Sequence, residues 1–131
     1  MNQAEIKILI VEDEELLRDI LALVLRDEGY NVDIATNGAE AWELISQNHY
    51  DLLATDLFMP IMNGFDLILK TQATYPSIKI MLISGGGKEV DAESGQKIIQ
   101  YQNRTAEVDI FLKKPYSIDL LLSYIEKVLA T

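Results

Sequence analysis

The sequence predicts a doubly wound α/β fold, in which one five-stranded parallel sheet carries helices on both faces. Three observations predict it. Five short apolar runs alternate with longer segments of helical period. Three of the runs are continuously apolar rather than alternating, as expected of strands covered on both sides. Parallel strands need crossovers, and right-handed crossovers distribute the helices over both faces. The 131 residues suit one domain, and the 49% apolar content supplies a sizeable core.

The runs are Ile8 to Val11, Val32 to Ala35, Leu52 to Thr55, Ile80 to Ile83 and Ile110 to Leu112. The first helical segment places Leu16, Leu17, Ile20, Leu21, Val24 and Leu25 on one face, and Gly29 supplies a stop. The second carries Ala41, Trp42 and Ile45; the third starts near Gly64 with Phe65, Ile68 and Leu69. The fourth is less regular and includes Ile98, Ile99 and Tyr101. The fifth runs from Ile118 to Leu129, with Ser117 as its N-cap. That makes five helices. No repeat, low-complexity tract or linker is visible, and the expectation is a single domain over residues 1–131 with no output domain.

Charge and composition exclude several functions. Eleven basic residues face 21 acidic ones, for a net charge of −10, and such a chain is repelled by nucleic-acid phosphates. There is no cysteine, so disulfides and thiolate metal sites are absent. No signal-like segment opens the sequence, and no apolar run approaches the ~18–20 residues of a membrane span. The cytoplasm is the expected location.

In open α/β sheets, sites form at the carboxyl ends of the strands. Here the first strand ends at Glu12 and Asp13, the third at Asp56 and the fourth at Ser84, and the fifth leads to Lys113-Lys114-Pro115. Carboxylates about 4 Å apart repel by roughly 4 kcal/mol per pair at an effective dielectric near 20. Three together call for a cation, and hard oxygen ligands of this kind suit Mg²⁺. An acid flanked by Mg²⁺, a lysine and a small hydroxyl is an arrangement for phosphoryl transfer to that acid. Asp56, charged at the end of a buried strand, fits the acceptor.

The stretches "ILIVEDEE", "DLFMPIMNG", "LIS" and "FLKKPY" together resemble the receiver domain of two-component response regulators, and in the same order. The resemblance covers essentially the whole chain. It implies a flavodoxin-like sheet of order 2-1-3-4-5. It also implies that Asp56 accepts a phosphoryl group from a phosphohistidine on a sensor histidine kinase or histidine phosphotransfer protein. Glu12 and Asp13 would handle the Mg²⁺, with Asp13 ahead as direct ligand, joined by Asp56 and the backbone carbonyl of Phe58. Ser84 and Lys114 would serve the transfer, and Ser84 and Phe111 the conformational switch. The Lys114–Pro115 bond is expected to be cis. A separate effector protein would read a face formed by helix four, strand five and helix five.

Two rival readings fit the residues less well. A haloacid-dehalogenase-like phosphatase needs a second acid two residues after the nucleophile, where this chain has Phe58. A binding module that keeps the fold without chemistry would not need every site type present. "SGGGKE" is no phosphate loop: the Walker pattern fails at Leu82 and Glu89, and GxGxxG fails at Val90. His49 is expected at the surface and Trp42 in packing. The segment between Ser84 and Lys114 is longer than in most receivers. It is expected to hold a long, mobile loop at about residues 85 to 94, with Asp91 or Ser94 able to cap the helix after it. An altered fourth helix would follow, burying Ile98, Ile99 and Tyr101.

Overall fold

The computed structural model describes residues 3–85 and 92–131. After a 3-10 turn at Gln3–Glu5, the elements follow in order: β1 Lys7–Val11, α1 Glu15–Asp27, β2 Asn31–Ala35, α2 Gly38–Gln47, β3 Leu52–Asp56, α3 Gly64–Thr74 and β4 Lys79–Ser84. Then come β5 Ile98–Tyr101, β6 Arg104–Glu107, β7 Ile110–Lys113 and α4 Ile118–Leu129.

Five strands form one parallel sheet of order β2-β1-β3-β4-β7. Successive side chains of each strand enter opposite cores, because the strand period is two. Leu9, Val11, Leu53, Leu82 and Phe111 enter the core under α2 and α3. Ile8, Ile10, Leu52, Ala54, Met81, Ile83 and Leu112 enter the one under α1 and α4. This two-sided burial is what the continuous apolar runs predict.

Local signals set the helix ends. Asn37, Asn63 and Ser117 each accept a backbone N–H three residues on, at 2.9, 2.8 and 3.1 Å. Gly29 follows α1 at φ +100°, a left-handed conformation that favours glycine. In α1 the apolar arc is wider than the core uses. Leu21, Ala22 and Leu25 are buried, while Leu16 and Ile20 point outward, contrary to the single face expected.

The fold departs from expectation between β4 and β7. The described residues contain four helices, not five. Where helix four was expected, β5 and β6 form an antiparallel hairpin pairing Tyr101 with Arg104 and Ile98 with Glu107. Gln102 and Asn103 make its two-residue turn at φ 49° and 60°. Positive φ at both centres is the turn whose twist suits a hairpin. Burial follows period two: Ile99, Tyr101, Ala106 and Val108 are buried, whereas Ile98 is 63% exposed. The expected buried helical stripe of Ile98, Ile99 and Tyr101 is therefore corrected to one face of a strand. The hairpin packs in the α2–α3 core and is fastened to α3. Arg104 Nη1 lies 2.7 Å from Asp66 Oδ1, its guanidinium stacks over Phe65, and Gln72 Nε2 donates to the Glu107 carbonyl.

Residues 92–97 join this hairpin to the sheet. Gly95 N donates to the Phe111 carbonyl at 2.7 Å, and Phe111 N donates to the Gln96 carbonyl at 2.9 Å. The free edge of β7 is thereby covered, which removes an aggregation-prone edge. Ser94 caps no helix; its Oγ accepts the Lys113 N–H at 2.8 Å. Asp91 and most of the expected loop lie outside the described residues. His49 is exposed beside Asp51, and Trp42 packs between Lys70 and Tyr75. No helix among the described residues is long and apolar enough to cross a membrane.

Candidate functional site

The carboxyl ends of β1, β3, β4 and β7 converge on one rim. Glu12 directly follows β1, and its backbone N–H continues the sheet by donating to the Ala35 carbonyl at 3.1 Å. Its own carbonyl accepts Arg18 Nη1 at 3.1 Å. The side chain is buried, with Oε2 accepting the Glu14 N–H at 3.3 Å. A buried carboxylate needs a cation or several donors. Here the cation is Lys114, whose Nζ lies 3.0 Å from Glu12 Oε1.

Asp56 ends β3, with its side chain 11% exposed. Its Oδ1 accepts the Leu57 N–H at 2.8 Å, and its Oδ2 lies 3.2 Å from Lys114 Nζ. The turn that follows is held by two close approaches. A Cβ on Gly64 would come 2.0 Å from the Asp56 carbonyl oxygen, and one on Gly38 would come 2.3 Å from that of Met62. Within this turn Ile61, 82% exposed, stands at φ +71°, a region that costs a β-branched residue strain. Phe58, two residues past Asp56, is partly exposed and meets the Tyr101 ring edge-on at 6.0 Å.

Asp13 stands at the exposed rim. One carboxylate oxygen each from Glu12, Asp13 and Asp56 lie within 4.8 Å of one another, the group among the described residues suited to a metal ion. The Asp13 carboxyl is held above its ordinary range, first by what burial it has and then by the hydrogen bond and charge of Glu12. Burial pulls the Lys114 ammonium down, but Asp56 and Glu12 more than reverse this, so it stays charged. Three carboxylates against one ammonium leave net negative charge, and that excess suits a divalent cation.

Ser84 ends β4, fully buried, and its carbonyl accepts the Lys114 N–H at 2.8 Å. It lies one residue beyond Ile83, the register partner of Asp56. Phe111, on β7 opposite Leu82, is fully buried and faces the hairpin core. Lys113 points elsewhere, with Nζ 3.6 Å from Glu93. The Lys114–Pro115 peptide is cis, as expected. The structure thus brings Glu12, Asp13, Asp56 and Lys114 together and sets Ser84 beside them; Phe111 stands apart in the core.

Sequence reasoning missed two features here. Tyr101, which meets Phe58, belongs to the unforeseen hairpin. The Tyr116 hydroxyl is buried without a hydrogen-bond partner two residues after Lys114. The alternation of apolar Ile99, Tyr101, Ala106 and Val108 with polar Gln100 and Glu107 was the available signal for the first, masked by the adjacent Ile98.

The family model described as "Response regulator receiver domain" matches residues 8–126. The chain belongs to the response regulator receiver family. Among curated relatives, this receiver is 33% identical to the 3′,5′-cyclic-nucleotide phosphodiesterase regA of Dictyostelium discoideum, over 98% of its own length and 16% of that protein's. It is 31% identical to the transcriptional regulatory protein CutR of Streptomyces coelicolor, over 89% of its length and 50% of CutR's. The receiver thus spans half or less of either relative. Among solved structures, the CheY-like receiver domain protein of Methanospirillum hungatei superposes with a TM-score of 0.80 at 27% identity, covering 95% of this chain and 94% of that one. Response regulator TrrA of Thermotoga maritima, solved in complex with Mg²⁺-BeF, gives 0.77 at 26% identity, covering 94% and 98%.

Proposed function

We propose that this receiver accepts a phosphoryl group on Asp56 from a phosphohistidine donor in a two-component system. The observation that carries the proposal is the Lys114 ammonium set between the Asp56 and Glu12 carboxylates, with Asp13 alongside. In the transfer, an Asp56 carboxylate oxygen forms a bond to phosphorus while the phosphorus–nitrogen bond breaks and the donor keeps its imidazole. Lys114 and the Ser84 hydroxyl meet oxygens of the phosphoryl group as its charge shifts. Asp13, Asp56, the Phe58 carbonyl and Glu12 are the residues that would hold Mg²⁺. The ion supplies charge neutralisation of acceptor and phosphoryl oxygens. That the Thermotoga relative was solved in complex with Mg²⁺-BeF supports Mg²⁺ as the ion.

The output is proposed to run through the hairpin rather than a fourth helix. Phe58, next to the acceptor, touches Tyr101, and Tyr101 packs on Phe65 at 5.6 Å. On the other side Phe111 is hydrogen-bonded through its backbone to residues 95 and 96. Movement of Ser84 and Phe111 toward a phosphoryl group therefore shifts the segment leading into β5. The bias is a local charge acting on a two-state element, which an effector then reads.

Incubation with acetyl phosphate and Mg²⁺, followed by intact mass measurement, tests the proposal. One phosphoryl mass is gained by the wild type, and none by Asp56→Asn or in EDTA. A binding module without phosphotransfer chemistry gains no mass in any arm.

A further inference from the structure

Glu12 and Asp13 stand in the short link, residues 12–14, between β1 and α1. A link holds a side chain in place only as firmly as its peptide planes are held. The plane before Glu12 is fixed by the sheet, where the Glu12 N–H donates to the Ala35 carbonyl at 3.1 Å. The plane after it, which joins Glu12 to Asp13, is met by Arg18, whose Nη1 donates to the Glu12 carbonyl at 3.1 Å. Arg18 is itself set in the first turn of α1, with its backbone N–H donating to the Glu14 carbonyl at 2.9 Å. Both planar units flanking Glu12 are therefore held, and with them the two soft dihedrals of that residue. The second unit also carries the Asp13 N–H, so its orientation sets where Asp13 leaves the chain.

The fold alone does not favour arginine at this position. Its Nε is buried without a hydrogen-bond partner among the described residues. An unpaired buried donor is a cost that an apolar side chain would not carry. A positive charge near the rim also opposes a divalent cation. What the arginine supplies is a charge-assisted hydrogen bond to the Glu12 carbonyl. We infer that Arg18 is a positioning residue for the divalent-cation site. It holds the Glu12–Asp13 peptide so that both carboxylates face the ion they share with Asp56. The inference rests on the proposed Mg²⁺ site, and Arg18 acts through that peptide rather than on the ion or the phosphoryl group.

Arg18→Met keeps the stem and removes the donors. Magnesium chloride is titrated into the metal-free protein while the amide resonances of Asp13 and Asp56 are followed, beside thermal melts in EDTA. The dissociation constant is expected to rise about tenfold, the lower end of the cost of removing a ligand's orienting partner. The sign separates the explanations. Loss of a nearby positive charge alone would tighten Mg²⁺ binding. Loss of a purely structural contact would lower the melting temperature and leave the affinity of the folded protein unchanged. Arg18→Lys keeps the charge and a donor but lacks the planar fork, so its affinity is expected between those of Arg18→Met and wild type. Binding by Arg18→Met within about twofold of wild type, or tighter, overturns the inference. So does an Arg18→Lys affinity outside that interval. Should Arg18→Met not fold, Arg18→Lys decides alone: weaker binding by a folded protein supports the inference, and wild-type affinity overturns it. A wild type that binds no Mg²⁺ overturns the proposed metal site, and the inference with it.

Discussion

Lys114 Nζ stands 3.2 Å from Asp56 Oδ2, joining residues 58 positions apart in the chain. The same ammonium reaches Glu12 at 3.0 Å, so one cation holds two strand ends together. Replacing Lys114 by Met removes the charge and leaves the stem. The buried Glu12 carboxylate then lacks its cation, and unfolding in urea is expected to show a loss of about 2 kcal/mol. Breaking a fully buried pair costs more, and partial exposure reduces it. Phosphorylation should slow at least tenfold. Wild-type stability together with a wild-type rate would contradict the ammonium's central place.

Asp13→Asn is predicted to stabilise the metal-free protein. The raised Asp13 pKa fixes the sign. The folded state favours the neutral acid, so stability present below the unfolded pKa of about 4 is lost as pH rises through the folded value. At neutral pH the charged carboxylate is therefore a net cost beside Glu12. Asparagine removes that cost and also removes a ligand. Because Asp13 is exposed and solvent screens its charge, the gain without metal is expected to be at most about 0.5 kcal/mol, with weaker stabilisation by Mg²⁺ than in wild type. Melts with and without Mg²⁺ measure both, and a destabilised metal-free variant contradicts the prediction.

Tyr50 is fully buried and donates to Asp33 Oδ2 at 2.7 Å. Burial first, then Asp33, raises its pKa well above 10. Its contribution to stability is complete below the unfolded pKa of about 10 and is lost as pH climbs toward the folded value. Urea midpoints should fall above about pH 10 more steeply in wild type than in Tyr50→Phe. Equal slopes would show that Tyr50 ionises freely.

The hairpin turn offers a test by stabilisation. Gln102 and Asn103 both hold positive φ, where Asn-Gly is the favoured pair. Gln102→Asn with Asn103→Gly should raise stability by about 0.5–1 kcal/mol. The same pair placed in a helix would lower it, glycine most of all. Chemical denaturation distinguishes the two signs.

Most of the sheet and the site rim was legible in the sequence for one reason. Strands buried on both faces must be continuously apolar, so a charged or hydroxyl residue at a strand end stands out. Glu12, Asp56 and Ser84 were found in this way, as was the pair Lys113-Lys114, within which the family resemblance singled out Lys114. The hairpin escaped because its turn is Gln-Asn rather than Asn-Gly, and because Ile98 and Ile99, adjacent in sequence, hid the period-two burial of Ile99 and Tyr101. The outward Leu16 and Ile20 escaped because periodicity gives the apolar arc of a helix but not how much of it the sheet covers. Tyr116 escaped because an unpartnered hydroxyl is a property of packing, which no spacing reports.

Locating the phosphoryl group tests phosphoryl transfer most directly. Borohydride reduces an aspartyl phosphate to homoserine, which marks the site permanently. After treatment with a phosphohistidine donor and Mg²⁺, peptide mass spectrometry should find homoserine at position 56 and nowhere else. Labelling at Asp13, or unmodified Asp56 in a protein that has gained phosphoryl mass, would contradict it.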